Sequence, residues 1–286
     1  MIKIITDSTC ALSPDFLAER SIELVHLKVN FGKTESYDEL TGITNAEFYH
    51  RLSTENVFPT TSQPSIGEFK SAYERVAQPG DEILVITLSG KLSGTNSAAQ
   101  TAAKMLPDLS ITVFDSLSVA LGLGLMVATA SDMAREGASM GDILSRLEQM
   151  RRDARLYFIV DTLEYLHKGG RIGGAAAFFG GILNIKPILT FVDGKIEAAD
   201  KVRSKRKAIA RILDLLAQAI PDTNQPVQIG VMHSAAEAEM EPMKEKILSL
   251  FPNATRVIIG EISPVLGSHG GPGLLGAGII PTPPTA

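Results

Sequence analysis

Glu82-Ile83-Leu84-Val85-Ile86-Thr87-Leu88-Ser89-Gly90-Lys91-Leu92-Ser93-Gly94-Thr95-Asn96-Ser97-Ala98 sets out a strand, a polar tip and a helix in direct succession. From Glu82 to Thr87 the apolar run is continuous rather than alternating, the pattern of a strand covered on both faces. It breaks at a glycine-bearing polar tip, and the spacing predicts a helix from Asn96 to Met105. Two other segments repeat the scheme. Ile2 to Ile5 runs into Asp7-Ser8-Thr9, and Ser110 to Phe114 runs into Asp115-Ser116. Helix-like sequence follows each, with Ser13-Pro14 as N-cap and first helical residue of one. Such repetition specifies an α/β fold with an open, mostly parallel sheet and helices on both faces. Ligands of these sheets bind beyond the carboxyl ends of the strands, so the polar tips are the first candidates for a site.

Outward from these repeats, the stretch between Val29 and Thr61 is less regular. Thr44 caps a short helix over Ala46 to Leu52, with Glu47 at capping-box spacing. Two prolines bracket Thr60-Thr61-Ser62-Gln63, which predicts a stiff, exposed loop over Pro59 to Ser65. A helix from Ser65 or Ile66 to about Ala77 follows and ends at Pro79-Gly80-Asp81. A charged amphipathic helix over Met140 to Asp153 closes this region. Leu156 to Val160 starts a new strand, so a boundary is expected there between an N-terminal α/β domain (1–155) and a C-terminal α/β domain (156–286). The second domain reads as strand, a Gly/Ala-rich helix from Gly169 to Leu183, strand (Ile188 to Val192), the turn Asp193-Gly194 and a further strand. Helix (Lys205 to Ala219), strand (Val227 to His233), helix (Glu237 to Leu250), strand (Arg256 to Ile262) and a glycine-rich end complete it. The tail from Pro281 carries no core residues and is expected to fray.

Composition narrows the function. A chain of 286 residues can bury the core of one large or two ordinary domains. Its 44% hydrophobic and 21% charged residues are the balance of a globular protein in water. The net charge of −5 and pI near 5.6 leave no basic footprint for nucleic acid. With 6% aromatics and no tryptophan, a base-stacking platform is not expected either. Cys10 is the single cysteine, which excludes an internal disulfide framework and a multi-cysteine metal centre and fits a reducing compartment. The start of the chain reads as a strand, not as a signal peptide. Val113 to Ala130, weakly polar but interrupted by Asp115, Ser116, Ser118 and glycines, reads as strand, turn and buried helix rather than a membrane span. A cytoplasmic protein is expected.

Four segments differ from the packing-driven sequence around them. Thr60 to Ser65 places hydroxyls beside a helix start, whose unpaired N–H groups and positive dipole end favour an anion; an ordinary cap-and-turn is the plainer reading. Leu88 to Ala98 puts Ser93, Thr95 and Asn96 at a strand tip and a helix start together, with Gly94 letting a ligand approach the backbone. It is no P-loop, since Leu92 follows Gly90-Lys91, and no nucleophile elbow, since the order is G-x-x-S-G. His167 to Gly174 places Arg171, a fixed cation, in a flexible turn. The Gly/Ala helix behind it, with Phe178, Phe179, Ile182 and Leu183, must be buried all round or line an apolar cavity. Val265 to Gly273 surrounds His269 with four glycines, a backbone chosen for shape rather than packing. His26, His50, His167 and His233 read as structural, Cys10 as a small core residue, and Asp7 and Ser8 as caps or supports.

In order and content these segments resemble the DegV family, whose best-understood members are fatty-acid-binding subunits of bacterial fatty-acid kinases. The resemblance rests on Ile4-Ile5-Thr6-Asp7-Ser8-Thr9, Thr60 to Pro64, Ser93 to Ala98 and Gly169-Gly170-Arg171-Ile172. It continues through Leu183 to Leu189, Val202-Arg203-Ser204 with Lys207-Ala208, and His269-Gly270-Gly271-Pro272-Gly273, so that it spans nearly the whole chain. It implies a long-chain fatty acid enclosed at the seam between two domains, with no other cofactor. Positions matching Thr61 and Ser93 hold the carboxylate; Ser62, Gly94, Thr95, Asn96 and Gly270 belong to the same binding loops, and Arg171 is carried over beside them. An ATP-dependent kinase subunit then phosphorylates the carboxylate to an acyl phosphate, and the carrier itself catalyses nothing. Arg203 and His269 are the positions expected to serve presentation to that partner. Transient contact with a membrane surface belongs to this picture; nucleic acid does not. Family members usually read Gly-Thr-His-Thr/Ser-Gly-Pro-Gly, whereas here Ser268 precedes His269 and Gly270 follows it, so a hydroxyl is lost beside the histidine.

Two other functions use the same residues. A serine hydrolase or acyltransferase would pair Ser93 with His269 and needs a carboxylate to orient the imidazole, for which the last segment offers only Glu261. A phosphate or nucleotide-sugar binder would use the glycine-rich loops, but no dinucleotide or P-loop fingerprint accompanies them.

Overall fold

The computed structural model describes residues 1–55, 57–180 and 185–282. The first half runs β1 (Ile2–Asp7), α1 (Pro14–Glu19), β2 (Glu23–Val25), β3 (Lys28–Phe31), β4 (Glu35–Asp38), α2 (Asn45–Thr54), β5 (Thr60–Ser62) and α3 (Ile66–Val76). It continues through β6 (Glu82–Thr87), α4 (Thr95–Lys104), β7 (Ser110–Asp115), α5 (Leu121–Arg135) and α6 (Met140–Asp153). The second half comprises β8 (Arg155–Ile159), α7 (Glu164–Lys168), β9 (Lys186–Val192), β10 (Lys195–Val202), α8 (Lys205–Ala219) and β11 (Val227–His233). It ends with α9 (Glu237–Leu250), β12 (Ala254–Glu261), α10 (Pro264–Gly270) and β13 (Leu275–Pro281).

The first sheet is all parallel, in the order β2-β1-β6-β7, as the strand–tip–helix repeats require. Alternate side chains of β6 serve two cores. Ile83 and Val85 pack with Phe69, Tyr73 and Ala99 of α3 and α4. Leu84 and Ile86 point the other way, into the core that includes α5. With both faces covered, the strand needs no polar alternation. α5 touches β1 and β6 on one side and β11 and β13 on the other. Every residue from Leu121 to Ser131 is buried, as a helix apolar all round must be.

The second sheet is mixed, in the order β10-β9-β8-β13-β11-β12. Ile212 and Leu216 of α8 and Met243 and Ile247 of α9 cover one face, against Ile229, Val231 and Ile279. The other face sends Leu156, Phe158, Leu189 and Met232 into the same core as Leu84 and Ile86. One apolar core therefore lies between the two sheets. A third, antiparallel sheet, β4-β3-β5, sets Thr61 opposite Val29 at the edge of this core. Among the described residues, no helix is long and apolar enough to cross a membrane.

Several helices begin where their caps predict. Ser13 accepts from Phe16 N–H ahead of Pro14, and Thr44 accepts from Glu47 N–H; Ser65, which was not expected as a cap, forms a full capping box with Glu68. Three expectations are corrected. The expected loop over Pro59 to Ser65 contains β5, because the β-branched Thr60 and Thr61 suit an edge strand, where flanking prolines disturb no ladder. Of the expected helix from Gly169 to Leu183, the described residues form instead a turn directly after α7 and a short 3-10 stretch over Gly173–Phe178 in which only Ala175 is buried. Glycines disfavour a long helix there, and alanines offer little surface to bury. Phe179 is exposed and stacks on His167, with ring centroids 4.0 Å apart. Ile182 and Leu183 lie outside the described residues. Finally, the glycine-rich end contains α10 and the central strand β13, paired antiparallel with both β8 and β11. Gly276 and Gly278 hid that strand, yet they are where Phe158 and Leu156 of β8 lie close over it. Pro281 belongs to β13 and its carbonyl accepts from Arg146 at 2.9 Å, so fraying cannot begin there; 283–286 lie outside the described residues.

Candidate functional site

Between the sheets lies a cavity of about 340 Å³. Its apolar wall takes Leu27, Leu88, Val119 and Leu121 from the first half and Leu156, Phe158, Phe191 and Met232 from the second. The polar and charged lining residues are Thr61, Ser62, Gln63, Ser93, Arg171 and His269, with Tyr157 in the wall. Direct contacts gather most of them into one cluster. Thr61 Oγ1 meets His269 Nε2 at 2.9 Å, Gln63 packs on Gly94, and Arg171 Nε donates to the carbonyl of Leu92, next to Ser93, at 2.9 Å.

Thr61 is held by β5, which hydrogen-bonds to β3. The neighbouring hydroxyl of Ser62 also lines the cavity and accepts from Asn30 Nδ2 at 2.9 Å. His269 comes from the last turn of α10. Its Nδ1 is buried, has no hydrogen-bond partner among the described residues, and packs against Gly169, where a Cβ would lie 2.2 Å away. Burial, and next the nearby Arg171 charge, hold its pKa down at about 4, so the ring is neutral near pH 7. Among the described residues no carboxylate bonds the imidazole.

The loop after β6 folds back on itself, with Leu92 and Ser93 N–H groups donating to the Ser89 carbonyl at 3.0 and 3.1 Å. This brings Ser93 to the cavity wall at the start of α4. Its hydroxyl shares a 2.8 Å hydrogen bond with Thr95 Oγ1, not with His269, so the nucleophile–base contact of a serine hydrolase is not formed. Thr95 and Asn96 are buried and do not line the cavity. Asn96 is spent on structure, donating to Thr87 Oγ1 at 2.8 Å and accepting from Gln100 at 2.9 Å. Gly94 was expected to open the backbone to a ligand. Instead the amide of Gln63 fills that space, and a Cβ at Gly94 would stand 2.1 Å from Gln63 Oε1.

Arg171 also donates from Nη1 to the Gly169 carbonyl at 2.6 Å, so it ties the turn after α7 to the Ser93 loop while facing the cavity. Gly270 lines the cavity beside His269, and a Cβ there would come within 2.7 Å of Leu274 Cδ1. Leu274 thus occupies the place where a hydroxyl side chain was expected. The glycines around His269 do serve packing, contrary to expectation. A Cβ at Gly267 would meet Phe48 and Tyr49 of α2 at 2.7 Å, and one at Gly271 would meet Tyr165 of α7 at 2.4 Å. Arg203 is exposed between β10 and the N-cap of α8 and is not brought to the cavity.

Two features escaped sequence reasoning. Gln63 lies inside a segment singled out for its hydroxyls, and its packing on Gly94 joins two segments that no local pattern connects. Glu39 is fully buried and bonds Ser8 of the β1 tip and Val265 of α10, far apart in sequence, so no local pattern marks it. Burial raises its carboxyl to about 7 and that of Asp7 to about 6.

A family model described as "Uncharacterised protein, DegV family" matches residues 1–282. A DegV family protein from Thermus thermophilus, whose structure is described as showing fatty acid binding, is 35% identical with a TM-score of 0.92, over 98% of this chain and 99% of that one. DegV of Bacillus subtilis, described as a fatty acid binding protein, is 33% identical with a TM-score of 0.90, over 98% and 99% of the two chains. A stearic-acid-binding protein from Eubacterium ventriosum is 26% identical with a TM-score of 0.90, over 98% of each chain.

Proposed function

This chain belongs to the DegV family, and from that premise we propose that it carries one long-chain fatty acid, held by its carboxylate at Thr61 and Ser93. The observation that supports this most is the cavity: an apolar wall drawn from both halves of the chain, with its polar groups gathered around Thr61, Ser93 and His269. On this reading residues 1–155 form a domain that supplies the carboxylate loops, residues 156–286 form a second that completes the lipid tunnel, and the ligand lies at their seam. An acyl chain of about sixteen carbons, at about 0.8 kcal/mol per CH₂, gains about 12 kcal/mol gross on burial, so few polar contacts are needed.

The head-group chemistry follows from the hydrogen-bond inventory. A proton on His269 Nε2 has Thr61 Oγ1 as acceptor, whereas a proton on Nδ1 would be a buried donor without a partner. With Nε2–H donating, the hydroxyl hydrogen of Thr61 is left for the carboxylate, and Ser93 offers a second. Ser62, Gly94, Thr95, Asn96 and Gly270 shape the loops that present these two groups, and Arg171 offsets part of the ligand's charge. A carboxylate held by neutral hydroxyls, rather than locked in a bidentate ion pair, stays available to a second protein.

That second protein, on this reading, is an ATP-dependent kinase subunit. A carboxylate oxygen attacks the γ-phosphorus of ATP, ADP leaves, and an acyl phosphate remains on the carrier, which contributes no catalytic group of its own. The exposed Arg203 and the head-group His269 serve the handover. The protein works in the cytoplasm, with transient membrane contact for loading and unloading, and needs no cofactor beyond its ligand. The test is to combine delipidated protein, fatty acid, Mg-ATP and the kinase subunit, and to trap acyl phosphate with hydroxylamine. Hydroxamate is expected only when all four are present; its absence from the full mixture, or its formation without the carrier at an equal rate, contradicts the presentation role.

A further inference from the structure

Beneath α10 lies a buried carboxylate that does not face the cavity. Glu39 directly follows β4, and its Oε1 accepts the main-chain N–H of Val265 at 2.8 Å, while Oε2 accepts the hydroxyl of Ser8. Ser8 Oγ in turn accepts Leu27 N–H at 2.9 Å, and the main-chain N–H of Glu39 donates to the Leu27 carbonyl at 2.9 Å. One residue therefore joins the tip of β1, the approach to β3, the end of β4 and the start of α10.

α10 needs an outside partner at that point. Its N-cap, Ser263, makes no side-chain cap bond, and Pro264 has no N–H to offer. Val265 carries the next orphan donor, which Glu39 takes from a distant part of the chain. One turn further along the same helix stands His269, with its Nε2 at 2.9 Å from Thr61 Oγ1. Thr61 rides on β5, β5 is bonded to β3, and β3 to β4, whose chain continues into Glu39. The two halves of the polar cluster thus hang from the same side chain, one through the sheet and one through the helix.

We propose that Glu39 is a positioning residue of the head-group site, which sets the Thr61–His269 separation by anchoring the start of α10 to β4 and the β1 tip. The proposal rests on the fatty-acid reading above. The groups around Glu39 are Asp7, Cys10, Tyr49 and the side chain of Ser263, with His26 Nδ1 on its main-chain carbonyl at 2.7 Å. None of these supplies a paired cation, so the hydrogen bonds to Val265 and Ser8 carry the anchoring. Loss of the Val265 bond lets α10 drift and should be felt at the carboxylate of a ligand, not along its chain.

The test compares hexadecanoic acid with hexadecan-1-ol, one chain with two head groups, by calorimetric titration of delipidated wild-type, E39A and E39Q protein. E39A is expected to weaken the acid about tenfold and the alcohol by no more than about twofold. E39Q keeps an amide oxygen for Val265 N–H and is expected to bring the acid back to within about threefold of wild type. Unchanged acid affinity in E39A, or parallel losses of acid and alcohol, overturns the proposal. Should E39A not fold, E39D, which withdraws the carboxylate from Val265 by one methylene, replaces it with the same selective loss expected. The ¹⁵N resonances of the His269 ring give a readout that needs no ligand: they should move in E39A or E39D and stay near wild type in E39Q, and an unmoved ring overturns the positioning role. A wild-type protein that binds neither ligand contradicts the fatty-acid reading, and the ring resonances then decide the positioning of His269 alone.

Discussion

Thr61→Val is the sharpest perturbation of the site, because it keeps the β-branched shape that suits β5 and exchanges one hydroxyl for a methyl group. In the ligand-free protein it removes the 2.9 Å bond to His269 Nε2, and since Nδ1 is already unpartnered, neither ring nitrogen would then be bonded. The net cost to folding is that of one neutral hydrogen bond, about 1 kcal/mol, which lowers the melting temperature by a few degrees at most. In the complex it removes a hydrogen bond to a charged group, about 1.5–3 kcal/mol, or about 10- to 150-fold in affinity. The apolar wall is untouched, so the gain from burying the acyl chain remains and binding is weakened, not abolished. Titration of delipidated protein with a fatty acid and with its methyl ester separates the two contributions. The acid should lose affinity by that factor and the ester by no more than about threefold. Wild-type affinity for the acid in the variant, or equal losses for both ligands, refutes the assignment of Thr61 as a carboxylate holder.

Three further outcomes are expected. The carboxyl of Glu39 is raised to about 7, so the folded protein holds that proton more tightly than the unfolded chain, and stability falls as pH rises from the ordinary carboxyl range to about 7. The difference in urea-unfolding free energy between wild type and E39Q should therefore be about 2–3 kcal/mol more favourable to wild type at pH 5 than at pH 8; a difference that does not change with pH contradicts this. His269, held down at about 4, should show no titration of its ring resonances between pH 6 and 8, and a protonation step in that window would contradict its buried, neutral state. Arg203→Ala should leave fatty-acid affinity within about twofold of wild type, because the residue is exposed and away from the cavity, while slowing kinase-dependent acyl phosphate formation.

Periodicity and capping made much of the fold legible. β6 and the helices α6, α8 and α9 stand where apolar spacing places them, and Ser13 and Thr44 cap the helices they precede. The rules failed where tertiary packing overrides local preference. β13 is a central strand despite two glycines, because the strand beside it leans over the spaces they leave. β5 is a strand despite its flanking prolines, because it lies at an edge. The site was legible as segments but not as contacts. Thr61 and His269 were each marked by their surroundings, yet their bond joins positions 208 apart. Glu39 had no mark at all, since its partners lie 31 and 226 residues away and each bond uses a group that every sequence contains, a hydroxyl or a main-chain N–H. Gly94 shows the opposite error: glycine beside a binding loop invites a reading of open backbone, whereas Gln63 already fills that space.

The central claim, that the cavity between the sheets holds a fatty acid by its carboxylate, is tested most directly by organic extraction of freshly purified protein followed by mass spectrometry of the extract. A long-chain fatty acid at close to one molecule per chain is the predicted result. Extracts without fatty acid, from a folded protein that also takes up none when a long-chain acid is added, would contradict it.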